Sequence, residues 1–152
     1  MKVLMVCLGN ICRSPMADGI LRKKIQDRGL DMKVDSAGTA AYHVGEAPDR
    51  RMRRTGIDNN VPIDDLRARQ FVVQDFDRFD VIFAMDKSNY NNILSLARDE
   101  DDVQKVKMML NESNPGQNLE VPDPYYGGDE GFQNVYNMLD IAVDAFLERV
   151  NG

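Results

Sequence analysis

Clustered histidines, a set of paired cysteines and long apolar runs are all missing from this sequence, and each absence removes a class of function. His43 is the sole histidine, which disfavours a serine-type triad or any metal site built on histidine clusters and leaves it as a rim or surface residue. Two cysteines, Cys7 and Cys12, are too few for the disulfide framework of a small secreted fold. No stretch approaches the roughly 18 apolar residues of a membrane helix. Met1-Lys2 leads at once into a strand-like run with no small-residue cleavage site, so no signal peptide is expected. The expected location is cytoplasmic, where the glycosylation-like triplet Asn111-Glu112-Ser113 would go unused. Positive charge is also in the minority: 19 lysines and arginines face 25 aspartates and glutamates, a net charge of -6. That balance argues against nonspecific nucleic-acid binding, and any phosphate site must be a local exception to it. With 152 residues, 43% of them hydrophobic, the chain suits one domain spanning 1–152 and is short for two.

What is present is organised around Cys7-Leu8-Gly9-Asn10-Ile11-Cys12-Arg13-Ser14. Val3-Leu4-Met5-Val6 before it is an unbroken apolar run, as in a strand buried on both faces. Ser14-Pro15 after it reads as a helix start, since a serine oxygen caps free N–H groups and proline opens a helix without losing a bond. The loop is therefore a strand-to-helix turn, which aims backbone N–H groups and the positive end of a helix dipole at one spot. Leu8, Gly9, Asn10, Ile11, Cys12 and Arg13 would form an anion cradle, with Gly9 and Asn10 suited to left-handed backbone. Cys7 would lie at its base in a field that favours thiolate, and Arg13 offers a planar fork matched to two phosphate oxygens. Together they suggest a nucleophile beneath a bound phosphoryl group.

Further along, Ala17, Ile20, Leu21 and Ile25 recur at helical spacing before Gly29, which predicts an amphipathic helix from Pro15 to about Arg28. Met32 to Ala37 alternates like an outer strand, and a right-handed crossover would set it parallel to the first. Ala40 to Ala47 reads as a loop at the Cys7 end of the sheet, where ligands bind in such folds. Arg50, Arg51, Arg53 and Arg54 fall in a short basic helix, either a solvated face or an element that steers anions. Asp58 to Pro62 reads as a loop and Arg67 to Phe79 as partly helical. Val81 to Met85 reads as a second buried strand, with Asp86 capping a helix that runs through Ala97. Asp99-Glu100-Asp101-Asp102 is expected to be a solvated turn rather than a calcium loop, ahead of a strand candidate at Lys105 to Leu110. Gly131 to Val150 closes the chain with apolar residues at helical spacing. These elements predict a flavodoxin-like α/β fold: an open, doubly wound, four-stranded parallel sheet of order 2-1-3-4 with helices on both faces.

Phosphate ester cleavage also needs a general acid for the leaving group. Val121-Pro122-Asp123-Pro124-Tyr125-Tyr126-Gly127-Gly128 is the stretch to consider, because two prolines stiffen the backbone around one carboxyl after the last strand candidate. By composition alone it is as readily an ordinary proline-rich turn.

Val6-Cys7-Leu8-Gly9-Asn10-Ile11-Cys12-Arg13-Ser14-Pro15 resembles the signature of the low-molecular-weight protein tyrosine phosphatases. The resemblance extends to Ser36-Ala37-Gly38-Thr39, Leu66-Arg67-Ala68-Arg69-Gln70, Met85-Asp86-Lys87-Ser88-Asn89 and Asp123-Pro124-Tyr125-Tyr126-Gly127, and so over nearly the whole chain. It implies catalysis by Cys7, Arg13 and Asp123, a phosphate cradle from Leu8 to Arg13, and support from Ser14, Asn10, Ser36 and Asp86. The implied reaction is hydrolysis of phosphotyrosine and small aryl phosphates through a cysteinyl-phosphate, with Asp123 as general acid and then base and with no metal or cofactor. Tyr42, Tyr125 and Tyr126, with Leu8 and Ile11, would form an aromatic and apolar substrate rim. Many members carry tryptophan where Tyr42 stands, and some carry histidine where Leu66 stands, so any role of that histidine does not transfer. Cys12 is either a bystander or a redox partner that protects Cys7, as in members with this second loop cysteine. Expected partners are phosphotyrosine proteins or peptides, with no nucleic acid and no membrane, and the expected state is a monomer with at most weak self-association.

Two other readings compete. A thiol-dependent arsenate reductase shares the fold and a cysteine-arginine loop but needs further resolving cysteines, and residues 13 to 152 contain none. A non-catalytic phosphotyrosine-binding module would bind without turnover and would have no use for both Cys7 and Asp123.

Overall fold

Strand β1 (Lys2–Cys7) carries the first apolar run through the middle of the sheet and is buried from Val3 to Cys7. In the computed structural model, which describes residues 1–124 and 128–151, β1 pairs in parallel with β2 (Lys33–Gly38) on one side and with β3 (Val81–Ala84) on the other. Strand β3 pairs in parallel with β4 (Val106–Met108). The order β2-β1-β3-β4 is the one the sequence predicts. Register levels the carboxyl ends, with Cys7 opposite Gly38 and Val6 opposite Ala84, so the loops after three strands leave from one edge.

Alternation along β1 sends Val3 and Met5 to one core and Leu4 and Val6 to the other. The first core is closed by α1 (Arg13–Arg28), α6 (Asp129–Asn151) and Met52 of α2 (Arg50–Asp58), with Phe83 meeting Phe146 edge-on at 5.0 Å. The second is closed by Phe76 of α3 (Asp75–Arg78) and Ile93 of α4 (Lys87–Leu94), with Phe71 edge-on to Phe76 at 5.4 Å. Burial on both faces is why the strands read as continuous apolar runs. No helix among the described residues is long and apolar enough to cross a membrane.

Helix α1 differs from the expected amphipathic helix in its first half. Every residue from Arg13 to Leu21 is buried, because Val61 and Ile63 close over it: a Cβ on Gly19 would stand 2.4 Å from Ile63 Cγ2. A mid-helix glycine costs roughly 1 kcal/mol relative to alanine, and here it permits that contact. The helix starts at Arg13 with Cys12 in the cap position, so Ser14 is not the cap the sequence suggested, and its hydroxyl is bonded inside the site instead. Gly29 ends the helix as expected, in left-handed conformation (φ 62) with its N–H on Gln26 O. Asp49 caps α2 by accepting the Arg51 N–H at 2.8 Å, and Asp86 caps α4 by accepting the Asn89 N–H at 2.7 Å. Such caps contribute about 1 kcal/mol each.

The acidic run is a second departure. Asp99 accepts the Asp102 N–H and starts a helix, α5 (Glu100–Lys105), where a solvated turn was expected. Carboxylates in a first turn suit the positive end of the helix dipole, and Asp102, 3% exposed, is held by Arg98 Nε at 2.9 Å. Because α5 takes Lys105, the strand expected from Lys105 to Leu110 shortens to β4, and Met109–Asn111 coils as a 3-10 turn.

Candidate active site

Strand β1 ends at Cys7 and α1 begins at Arg13, so residues 8–12 alone bridge strand and helix. Asn10 takes the left-handed conformation (φ 58) within this loop, one that asparagine tolerates better than most residues. Among the described residues, the backbone N–H groups of residues 8 to 13 donate to no backbone carbonyl. Four carbonyls between Cys7 and Cys12 are satisfied: Cys7 O by the Thr39 N–H at 2.9 Å, Leu8 O by Ala40 at 3.0 Å, Ile11 O by Asp49 at 2.8 Å and Cys12 O by Met16 at 3.3 Å. Donors left over beside acceptors already filled make the loop receptive to an anion.

A cleft of about 230 Å³ lies over the loop, lined by Cys7, Leu8, Gly9, Ile11, Cys12, Arg13, Tyr42, His43 and Asp123. Cys7 is 3% exposed, and its Sγ lies 2.9 Å from Ser14 Oγ. Arg13 is anchored from below: Nη1 donates to Asp86 Oδ2 at 2.8 Å and to the Val121 carbonyl at 3.0 Å. Its Nη2 lies 3.9 Å from Asp123 Oδ2. Burial works against charge on Arg13, but Cys7, Asp86 and Asp123 outweigh it and hold the guanidinium protonated. Cys12 has the opposite balance. Burial, and then the charges of Asp49, Cys7 and Asp123, push its thiol up and keep it neutral.

Asn10 stands behind the loop, 2% exposed, with its whole side chain engaged. Its Nδ2 donates to Ser14 Oγ at 2.8 Å and Ser36 Oγ at 3.0 Å, while Oδ1 accepts the Arg69 N–H at 3.0 Å. Asp86 uses one oxygen to cap α4 and the other to hold Arg13. Gly38, at the end of β2, lets the loop approach: a Cβ there would stand 2.7 Å from Leu8 O. Of the residues singled out from the sequence, Cys7, Leu8, Gly9, Ile11, Cys12, Arg13, Tyr42 and Asp123 thus meet at the cleft. Asn10, Ser14, Ser36 and Asp86 brace it from behind. Tyr125 and Tyr126 lie outside the described residues. His43, expected at the rim or surface, joins the lining with Nδ1 2.8 Å from Glu46 Oε2.

Sequence reasoning missed three braces. Arg69 holds Asn10 by its backbone N–H while its guanidinium bonds Asp35 and the buried Asp75. The Asp49 N–H holds Ile11, and the Val121 carbonyl holds Arg13. All three act through backbone atoms, which every residue type carries, so no side-chain pattern marks them. No group of three or more His, Cys, Asp and Glu side chains is gathered to hold a metal among the described residues.

Sheet and cleft together define a doubly wound α/β protein with a thiol and a guanidinium set in an anion-receptive loop. The chain belongs to the low molecular weight phosphotyrosine protein phosphatase family, whose pattern it matches over residues 2–152. A Synechocystis sp. protein provisionally named a low molecular weight protein-tyrosine-phosphatase is 48% identical over 149 residues, covering 97% of this chain and 94% of its own. The crystal structure of a protein tyrosine phosphatase from Entamoeba histolytica superposes with a TM-score of 0.93 at 42% identity, covering 99% of this chain and 97% of that one. A Drosophila arginine phosphatase superposes with a TM-score of 0.93 at 33% identity, covering 100% of this chain and 99% of that one.

Proposed function

We propose that this chain, acting as a single catalytic domain in the cytoplasm, hydrolyses phosphotyrosine in proteins and peptides through a covalent cysteinyl-phosphate. One observation carries the proposal: Cys7 Sγ lies under a cleft bordered by unbonded loop N–H groups and Arg13, with Asp123 Oδ2 3.9 Å from the same guanidinium. The Cys7 thiolate attacks phosphorus in line, forming the S–P bond as the bond from phosphorus to the aryl oxygen breaks. Asp123 gives its proton to the departing phenolate. The loop amides and Arg13 hold the equatorial oxygens, the charge stabilisation that a metal supplies in other phosphatases. In the second half Asp123, now ionised, takes a proton from water, the new O–P bond forms, and Cys7 leaves as thiolate beside the Ser14 hydroxyl at 2.9 Å. Tyr42, exposed at the cleft edge, and Leu8 favour a flat aryl ester over a short serine phosphate.

The test is phosphate release from p-nitrophenyl phosphate and from a phosphotyrosine peptide at mildly acid pH with a chelator present. Turnover should vanish in Cys7→Ser and fall roughly 100-fold or more in Asp123→Ala. No turnover by the parent, or equal turnover by Cys7→Ser, rejects the proposal. A phosphoarginine peptide, run in parallel because the Drosophila neighbour is named for that activity, should be the poorer substrate. Arsenate reduction with added thiol should be absent.

A further inference from the structure

Helix α2 places positive charge at its N-terminal end, balanced in part by the Asp49 cap. Its first turn carries Arg50 and Arg51 and no acid, although the N-terminal end of a helix dipole favours negative charge. Two of its four arginines are in use: Arg51 binds Asp49 and stacks over Phe132 at 4.6 Å, and Arg53 Nε donates to the Pro48 carbonyl at 3.0 Å. Arg50 and Arg54 are exposed and make no hydrogen bond or ion pair among the described residues. They sit one helical turn apart on the same face and line a cleft of about 560 Å³ with Thr55, Phe132 and Gln133. Asp58 also lines it, toward the far end of the helix. The Asn59 Nδ2 bond to Gln133 Oε1 at 2.9 Å fixes α2 against α6. At the other end, the Asp49 N–H bond to Ile11 O at 2.8 Å ties the start of α2 to the anion-receptive loop. Two cations without partners among the described residues, one of them in the first turn of the helix and the pair joined to the loop by one backbone bond, are accounted for by an anionic ligand arriving with the substrate.

We infer that the Arg50 and Arg54 face of α2 is a docking site for acidic residues flanking the phosphotyrosine of a protein substrate. The substrate part of this inference rests on the phosphatase reading, and the docking part rests on α2 alone. An extended peptide advances about 3.3 Å per residue, so carboxylates a few positions from the phosphotyrosine reach beyond the loop. A polypeptide is favoured over nucleic acid because the chain as a whole carries a net charge of -6, which repels a long polyanion while leaving room for a short acidic segment at a local basic face.

The experiment compares phosphotyrosine peptides flanked by three glutamates or three glutamines at low salt, with p-nitrophenyl phosphate as the substrate that reaches no flank. The parent should show a KM roughly threefold to tenfold lower for the glutamate peptide. That preference should disappear in Arg50→Gln/Arg54→Gln and reverse in Arg50→Glu/Arg54→Glu, with kcat and all p-nitrophenyl phosphate kinetics unchanged. Equal preference in parent and variants overturns the inference, and so does a matching fall on p-nitrophenyl phosphate. Fluorescence anisotropy of the same glutamate peptide without its phosphate keeps the two readings apart. If the parent turns over nothing, the phosphatase reading falls, and docking is then judged by whether that peptide binds the parent and not the variants. Equal binding to both, or a duplex DNA bound through these arginines with no glutamate preference, rejects the site.

Discussion

Asn10 commits a left-handed backbone (φ 58) and three side-chain hydrogen bonds to one task, holding the turn between Cys7 and Arg13. The two contributions separate by substitution. Asn10→Gly keeps the backbone at ease and loses the bonds, whereas Asn10→Ala loses both, so stability should fall in the order parent, glycine, alanine. Losing the bonds leaves the Arg69 N–H without its partner and takes a donor from the buried Ser14 and Ser36 hydroxyls, at a cost of about 1 to 3 kcal/mol, read as a shift in the urea midpoint. Ser14→Ala should cost about 1 to 3 kcal/mol, since it takes an acceptor from the buried Asn10 Nδ2, and on the proposed mechanism should lower turnover, because its hydroxyl touches the sulfur that leaves. At this scale the sequence was partly legible. Cys7 and Arg13 stand out because their chemistry is in their side chains and they share one short loop, and Asp123 because two prolines flank it. Ser14 was misread as a cap because a hydroxyl ahead of Pro15 can serve a helix end or a site equally well, and only the position of Cys7 chooses between them. Arg69 acts on Asn10 from 59 positions away through an amide, for which no pattern exists.

Among the elements, α1 holds a buried acid that the reaction does not use. Asp18 is 2% exposed and its Oδ1 has no hydrogen-bond partner, and burial, opposed by Arg22, pushes it up to about 7. An unfolded aspartate titrates near 3.9. Between those values the folded chain keeps a proton that the unfolded chain has released, so the contribution of Asp18 to stability is most favourable at acid pH, falls as pH rises toward about 7, and stays low beyond it. Asp18→Asn should remove that slope. Its advantage over the parent should be small at pH 4 and reach roughly 2 to 4 kcal/mol at pH 8, measured by urea unfolding at the two values. Element types and sheet order were read correctly because the strands are short apolar runs and the helices have clear stops, as at Gly29. The acidic run at residues 99 to 102 was not, because the composition that marks a solvated turn also suits the first turn of a helix. Arg98, just before the cap, decides for the helix by holding Asp102.

In the whole molecule, the face of the sheet under α6 is stabilised by one continuous apolar cluster. Phe146 is fully buried there, against Phe83 at 5.0 Å and far along α6 from the cleft. Phe146→Ala should cost about 3 to 5 kcal/mol and lower Tm by roughly 10 °C while sparing the kinetics of the folded fraction. A thermal melt paired with an assay at low temperature checks both halves.

The bond from Arg13 to the Val121 carbonyl closes a sequence separation of 108 residues. Chains form from the amino terminus, so the thiol leaves the ribosome long before the carbonyl that steadies its guanidinium neighbour, or the acid two residues beyond. Ribosome-stalled chains ending ahead of Val121 should therefore release no phosphate from any ester. On the proposed mechanism the growing polypeptide carries a warhead without a trigger until Val121 and Asp123 have emerged, and only then becomes a reagent.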